Sequence, residues 1–147
     1  MKYRLLLLLI IFSCDMQPTI TIDKKIISTS HAPKAIGPYS QAVQSGNTIY
    51  LAGQIAIDPE SGKMIEAGIE KQAERVLENI KAILNESNFT LDDVVQSQVF
   101  LIDLGNYQKF NKVYATYFSE DPPARAVVEV SALPKNALVE IMVTAVK

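Results

Sequence analysis

Apolar and polar positions settle into regular patterns only beyond about Ile20, and from there to Lys147 the chain reads as a single domain without internal repeats or low-complexity linkers. The stretch TIYLAGQIAID at 48–58 is rich in β-branched and aliphatic residues and is bounded by Gly46-Asn47 and Pro59, which predicts a strand followed by a turn at ESGK, 60–63. Over 68–87 the period changes. Ile69, Ala73, Val76, Leu77, Ile80, Ile83 and Leu84 fall on one helical face, while Glu70, Lys71, Glu74, Arg75, Glu78 and Lys81 lie mostly off it. VVQSQVFLID at 94–103 alternates again and contains no breaker. A second amphipathic helix is marked by Phe110, Val113, Tyr114 and Tyr117 over roughly 106–119, with Asn106 as its expected cap and Pro122-Pro123 as its stop. Strands at 125–130 and 138–146 close the chain, and the last, LVEIMVTAV, is apolar on nearly both faces. An α+β layer with two helices on one sheet face is the economical arrangement, and a terminal strand apolar on both sides asks a partner subunit to cover the other face.

The first residues follow a different rule. Lys2 and Arg4 precede LLLLLIIF at 5–12, a run too short for the roughly 20 residues of a spanning helix but suited to the apolar region of a secretory signal. Ile11-Phe12-Ser13-Cys14 then resembles the lipobox of bacterial lipoproteins. The expectation is a signal peptide over 1–13, a lipid on Cys14, a tether over 14–24 and a membrane-anchored domain over 25–147, outside the cytoplasm. Initiation at Met16 is the alternative and leaves a cytoplasmic protein. Cys14 is the sole cysteine, so no intramolecular disulfide forms; loss of 1–13 moves the formal charge from −2 to −4.

Composition bounds the chemistry. With 147 residues, 48% hydrophobic and 20% charged, the chain has material for one core, and its charge of −2 leaves no footprint for nucleic acid. His31 is the single histidine, which argues against metal clusters and His-dependent triads, and neither GxGxxG nor GxxxxGK[ST] occurs. Two charged residues remain. Glu140 interrupts an otherwise apolar strand, where a carboxylate is costly to desolvate without a partner; an exposed edge and a functional role explain it equally well. Arg125 stands at the mouth of a strand, where a surface salt bridge or a snorkelling stem is the plainer reading. The two together in one cleft would grip a substrate carboxylate and orient or deprotonate a water. GPYSQA at 37–42 adds a third candidate, because a Gly-Pro turn either just packs Tyr39 or holds its hydroxyl over a pocket.

GPYSQAV at 37–43, YLAGQIAID at 50–58, NIKAIL at 79–84 and PARAVVEVSALPKNALVEIMVTAV at 123–146 together resemble the RidA family, also called YjgF/YER057c/UK114, of enamine/imine deaminases, from about Lys25 to Lys147. The resemblance implies a chorismate-mutase-like single domain, a homotrimer around a barrel-like arrangement of sheets, and ligand clefts between subunits. It implies hydrolysis of 2-iminobutyrate and 2-iminopropionate to 2-keto acids and ammonium without a cofactor. On this likeness Arg125 grips the substrate carboxylate, Glu140 positions water, Tyr39 forms the cleft wall, Asn111 shapes the cleft, and Gly53, with Ala52 beside it, lets the backbone approach the ligand. Val127 stands where many members carry a cysteine. Non-catalytic binding of small carboxylates or ketoacids at the same clefts, and endoribonuclease activity, are the alternatives; the acidic balance speaks against the latter.

Overall fold

The computed structural model describes residues 23–147. Six strands form one mixed sheet: β1 Lys24–Ile27, β2 Ala42–Ser45, β3 Thr48–Leu51, β4 Val94–Leu101, β5 Ala124–Glu129 and β6 Val139–Val146, in the spatial order β1-β2-β3-β6-β4-β5. All neighbours are antiparallel except β4 and β5, whose parallel pairing requires a crossover, and α2 (Tyr107–Tyr117) supplies it. The expected tether reaches into the sheet, since Lys24 pairs with Ser45.

The helix α1 spans Ile69–Glu86, and all seven residues of its apolar stripe are buried. They pack with Phe110, Tyr114 and Phe118 on the sheet face formed by Ile49, Leu51, Val99, Leu101, Val139, Ile141, Val143 and Ala145, so both helices cover one side. Each fully buried aliphatic side chain there contributes roughly 2 kcal/mol by leaving water. The opposite face carries Tyr50 and Val128, 52% and 45% exposed, with the partly buried Phe100 and Met142. On this face β6 alternates Glu140, Met142, Thr144 and Val146, so the terminal strand is apolar throughout only on its core side.

Two boundaries differ from the sequence pattern. The strand expected over 48–58 stops at Leu51, because Tyr50 pairs with Thr144 while Gln54 pairs with Ile141, four steps along one chain against three along the other. One extra residue makes a β-bulge, which bends the strand at Ala52-Gly53. The chain then closes a small turn in which the Ser61 N–H and hydroxyl both donate to Asp58 Oδ1 at 2.8 Å, as expected for ESGK, with Gly62 at φ +67°. The expected cap Asn106 makes no cap hydrogen bond. Asp103 takes that role for the 3₁₀ turn Leu104–Asn106, accepting from the Gly105 N–H at 2.7 Å and from Asn106 Nδ2 at 3.1 Å.

The expected signal peptide over 1–13 and the lipid site at Cys14 lie outside the described residues. Among the described residues no helix is long and apolar enough to cross a membrane.

Candidate functional site

The first recess grows from the turn at 37–39. The Tyr39 N–H donates to the Gly37 carbonyl at 2.9 Å across Pro38, a three-residue turn suited to proline's fixed φ. The ring then folds back so that its hydroxyl accepts from the Ile36 N–H at 3.2 Å, which leaves the phenolic proton to donate outward. Thus the tyrosine is held over a pocket: Tyr39 lines a cavity of about 320 Å³ with Ile36, Ala52, Gly53, Ile55, Pro134 and Glu140. The bulge at Ala52-Gly53 brings the backbone against Glu140, and any side chain at Gly53 would collide with the Glu140 carboxylate. Glu140 is partly buried, and desolvation pushes its pKa above the ordinary carboxylate value. No salt bridge among the described residues reaches it.

Buried amides hold the walls. Gln41, 4% exposed, accepts from the Thr29 N–H at 2.7 Å and donates to the carbonyls of Thr29, Ala32 and Pro33, which ties down the loop leading to Tyr39. Asn79 on α1 donates to the carbonyls of Ile55 and Ile57 at 3.3 and 3.0 Å, just beyond the bulge.

The second recess lies on the helix-covered face. Arg125 on β5 is in register with the fully buried Ser97 on β4 and points toward α2. Its guanidinium carbon sits 4.5 Å from the ring centroid of Tyr114 and 5.8 Å from that of Phe110, and Nη2 donates to the Tyr107 hydroxyl at 3.5 Å. Stacking of this kind fixes the plane of the fork and leaves its edge free for an anion. The surface salt bridge is not the explanation of Arg125, because the ion pairs among the described residues are Lys71–Glu74 and Lys147–Asp93. Leu104, Tyr107, Arg125 and Val127 line a cavity of about 410 Å³. Asn111 lies one helical turn after Tyr107, beside its hydroxyl, with its Oδ1 buried and unpartnered, and the buried Ser97 hydroxyl faces that of Tyr114.

The candidates therefore divide. Tyr39, Ala52, Gly53 and Glu140 share one recess; Arg125 borders the other, and Asn111 lies beside the Tyr107 hydroxyl without lining it. Along β6 the core side is Val139, Ile141, Val143 and Ala145, so Glu140 projects from the face opposite that of Arg125, and a single chain does not bring the two together. Sequence reasoning missed Tyr107, Ser97 and the role of Tyr114. Residues 107, 110, 111 and 114 share one face of α2 at helical spacing, and that was the available signal.

The result is an α+β domain with a cationic recess on one side of its sheet and an acidic recess on the other. The family model described as Endoribonuclease L-PSP matches residues 29–147. A RutC family protein of Pyrococcus abyssi is 53% identical over 124 residues, covering 84% of this chain and 98% of that protein. The 2-iminobutanoate/2-iminopropanoate deaminase of Mus musculus is 43% identical over 127 residues, covering 86% and 94%. A crystal structure from Yersinia pestis, described as a protein of the conserved Rid family, superposes with a TM-score of 0.83 at 47% identity, covering 85% of this chain and all of that one. The chain belongs to this Endoribonuclease L-PSP family, the RidA/YjgF family, and has its fold. These relatives are almost wholly taken up by the matched domain and leave no room for a counterpart of the leader. Nothing in these relatives supports the expected signal peptide, lipid on Cys14 and membrane attachment, which stand corrected as unsupported.

Proposed function

We propose that this protein hydrolyses 2-imino acids such as 2-iminobutyrate and 2-iminopropionate to 2-keto acids and ammonium, in clefts between the subunits of a homotrimer. The observation that carries this reading is the pair of half-sites of opposite charge, each without an internal counter-ion and set on opposite faces of one sheet, where only a neighbouring chain can complete them. Identity of 43% to a protein named for this reaction supports it.

In such a cleft Arg125 of one subunit holds the substrate carboxylate, and Asn111 shapes the wall beside it. Glu140 of the next subunit faces the imine carbon. Its raised pKa suits a group that takes a proton from water as the oxygen adds to the C=N carbon, and that returns a proton to nitrogen as the C–N bond breaks and ammonia leaves. The Tyr39 hydroxyl, oriented by Ile36, donates toward the reacting centre. Gly53 and Ala52 let the ligand lie close to the backbone. The chemistry calls for no cofactor.

The test is release of 2-ketobutyrate from 2-iminobutyrate generated in place by a threonine dehydratase. Wild type is expected to exceed the spontaneous rate, and Arg125→Ala to lower kcat/KM about 100-fold, the loss of roughly 3 kcal/mol of charge-assisted hydrogen bonding. Ketoacid binding that depends on Arg125, without any acceleration, would replace the enzyme by a binding protein.

A further inference from the structure

We propose that the Tyr107 hydroxyl is a second anchor for the substrate carboxylate, donating a hydrogen bond beside the Arg125 fork and so selecting acids over their neutral analogues. The inference rests on the imino-acid reading of the site and adds a residue to it. Arg125 Nη2 donates to the Tyr107 oxygen at 3.5 Å, so that oxygen already serves as an acceptor and its own proton is free for another partner. The hydroxyl and the guanidinium border the same cavity, whose remaining lining, Leu104 and Val127, is apolar, and Asn111 Oδ1 behind the phenol accepts no hydrogen bond from it, so the proton is left to the cavity.

No carboxylate of the described residues forms a salt bridge with Arg125, so the phenol and the guanidinium present two unclaimed donors side by side. An anion with two oxygens matches that pair. The fork takes both oxygens in its plane, and the phenol adds a third bond at a lone pair the fork leaves open. The Asn111 side chain and the charge of Arg125 lower the Tyr107 pKa from its ordinary value, which makes the phenol a stronger donor. Tyr107 is partly buried with its ring packed against the core, a role that phenylalanine keeps, while the hydroxyl stands at the cavity.

Tyr107→Phe keeps the ring and removes the donor. Titration calorimetry of the whole protein with 2-ketobutyrate should show the dissociation constant rising about tenfold in Tyr107→Phe, the size of one hydrogen bond to a charged group. With neutral 2-ketobutyramide the two proteins should bind alike. KM for the imine should rise by the same factor, while kcat falls less. Unchanged affinity for 2-ketobutyrate in Tyr107→Phe, with binding lost in Arg125→Ala, would overturn the role of Tyr107 alone. Unchanged affinity in Arg125→Ala would overturn the carboxylate site, and this anchor with it.

Discussion

In the proposed reaction Glu140 is the residue on which the chemistry turns, and its environment makes a pH prediction with a definite sign. Desolvation raises its folded-state pKa above the ordinary 4.5, so folding favours the protonated acid. Stability from this group is fully present below the unfolded value and is lost as pH rises through the folded pKa. Glu140→Gln removes the dependence, so thermal melts should show wild type losing ground to the variant as pH climbs from the acid range toward neutral. Activity should follow the opposite limb, because the base form is the reactive one. The acidic limb of kcat/KM should lie above the ordinary carboxylate value in wild type and vanish in Glu140→Gln, whose rate should fall by about 100-fold. Glutamine that lowers ketoacid binding as much as rate would make Glu140 a structural residue.

Loops meet the sheet through buried amides, and these contacts decide the shape of the acidic recess at the level of elements. Gln41 begins the stretch that enters β2 and uses both ends of its amide to hold four backbone groups of the loop before Tyr39. Gln41→Ala leaves those groups without their partner, and the expected cost is about 3 kcal/mol, read as a fall in the thermal midpoint. A loosened loop also frees Tyr39, so KM should rise in the variant even under conditions where it is fully folded. The helix α1 was legible from its apolar stripe, yet Gln72 and Asn79 on its buried side were not, because an amide looks polar in a pattern while the groups it pairs with, the Leu138 N–H for Gln72 and the carbonyls of Ile55 and Ile57 for Asn79, are distant in sequence. The four-residue strands β1 and β2 were too short to show a period. The bulge that ends β3 was hidden for a related reason: it is set by the pairing of Gln54 with Ile141, which are remote along the chain.

For the whole molecule the open sheet face is the deciding feature. Tyr50 and Val128 are exposed there in one chain, beside Phe100 and Met142, and the proposed homotrimer would bury them. Light scattering should give about three chain masses for wild type. Val128→Asp, a change at a position exposed in the single chain, should leave the melting transition of the domain intact but yield monomers without imine hydrolysis. An active monomer would contradict sites shared between subunits. By itself the sequence determined the helical stripe of α1, the strand character of β4 and β6, the positions of the turns and, through motifs such as GPYSQAV, the family, since each of these is a local pattern of side chains along the chain. Only the tertiary structure decided that Arg125 and Glu140 point to opposite faces, that Tyr107 and Tyr114 frame the guanidinium, and that Gly53 lies against a carboxylate. Those facts depend on strand order and register, which are fixed by contacts between residues far apart in sequence, and no periodicity read along a single stretch contains them.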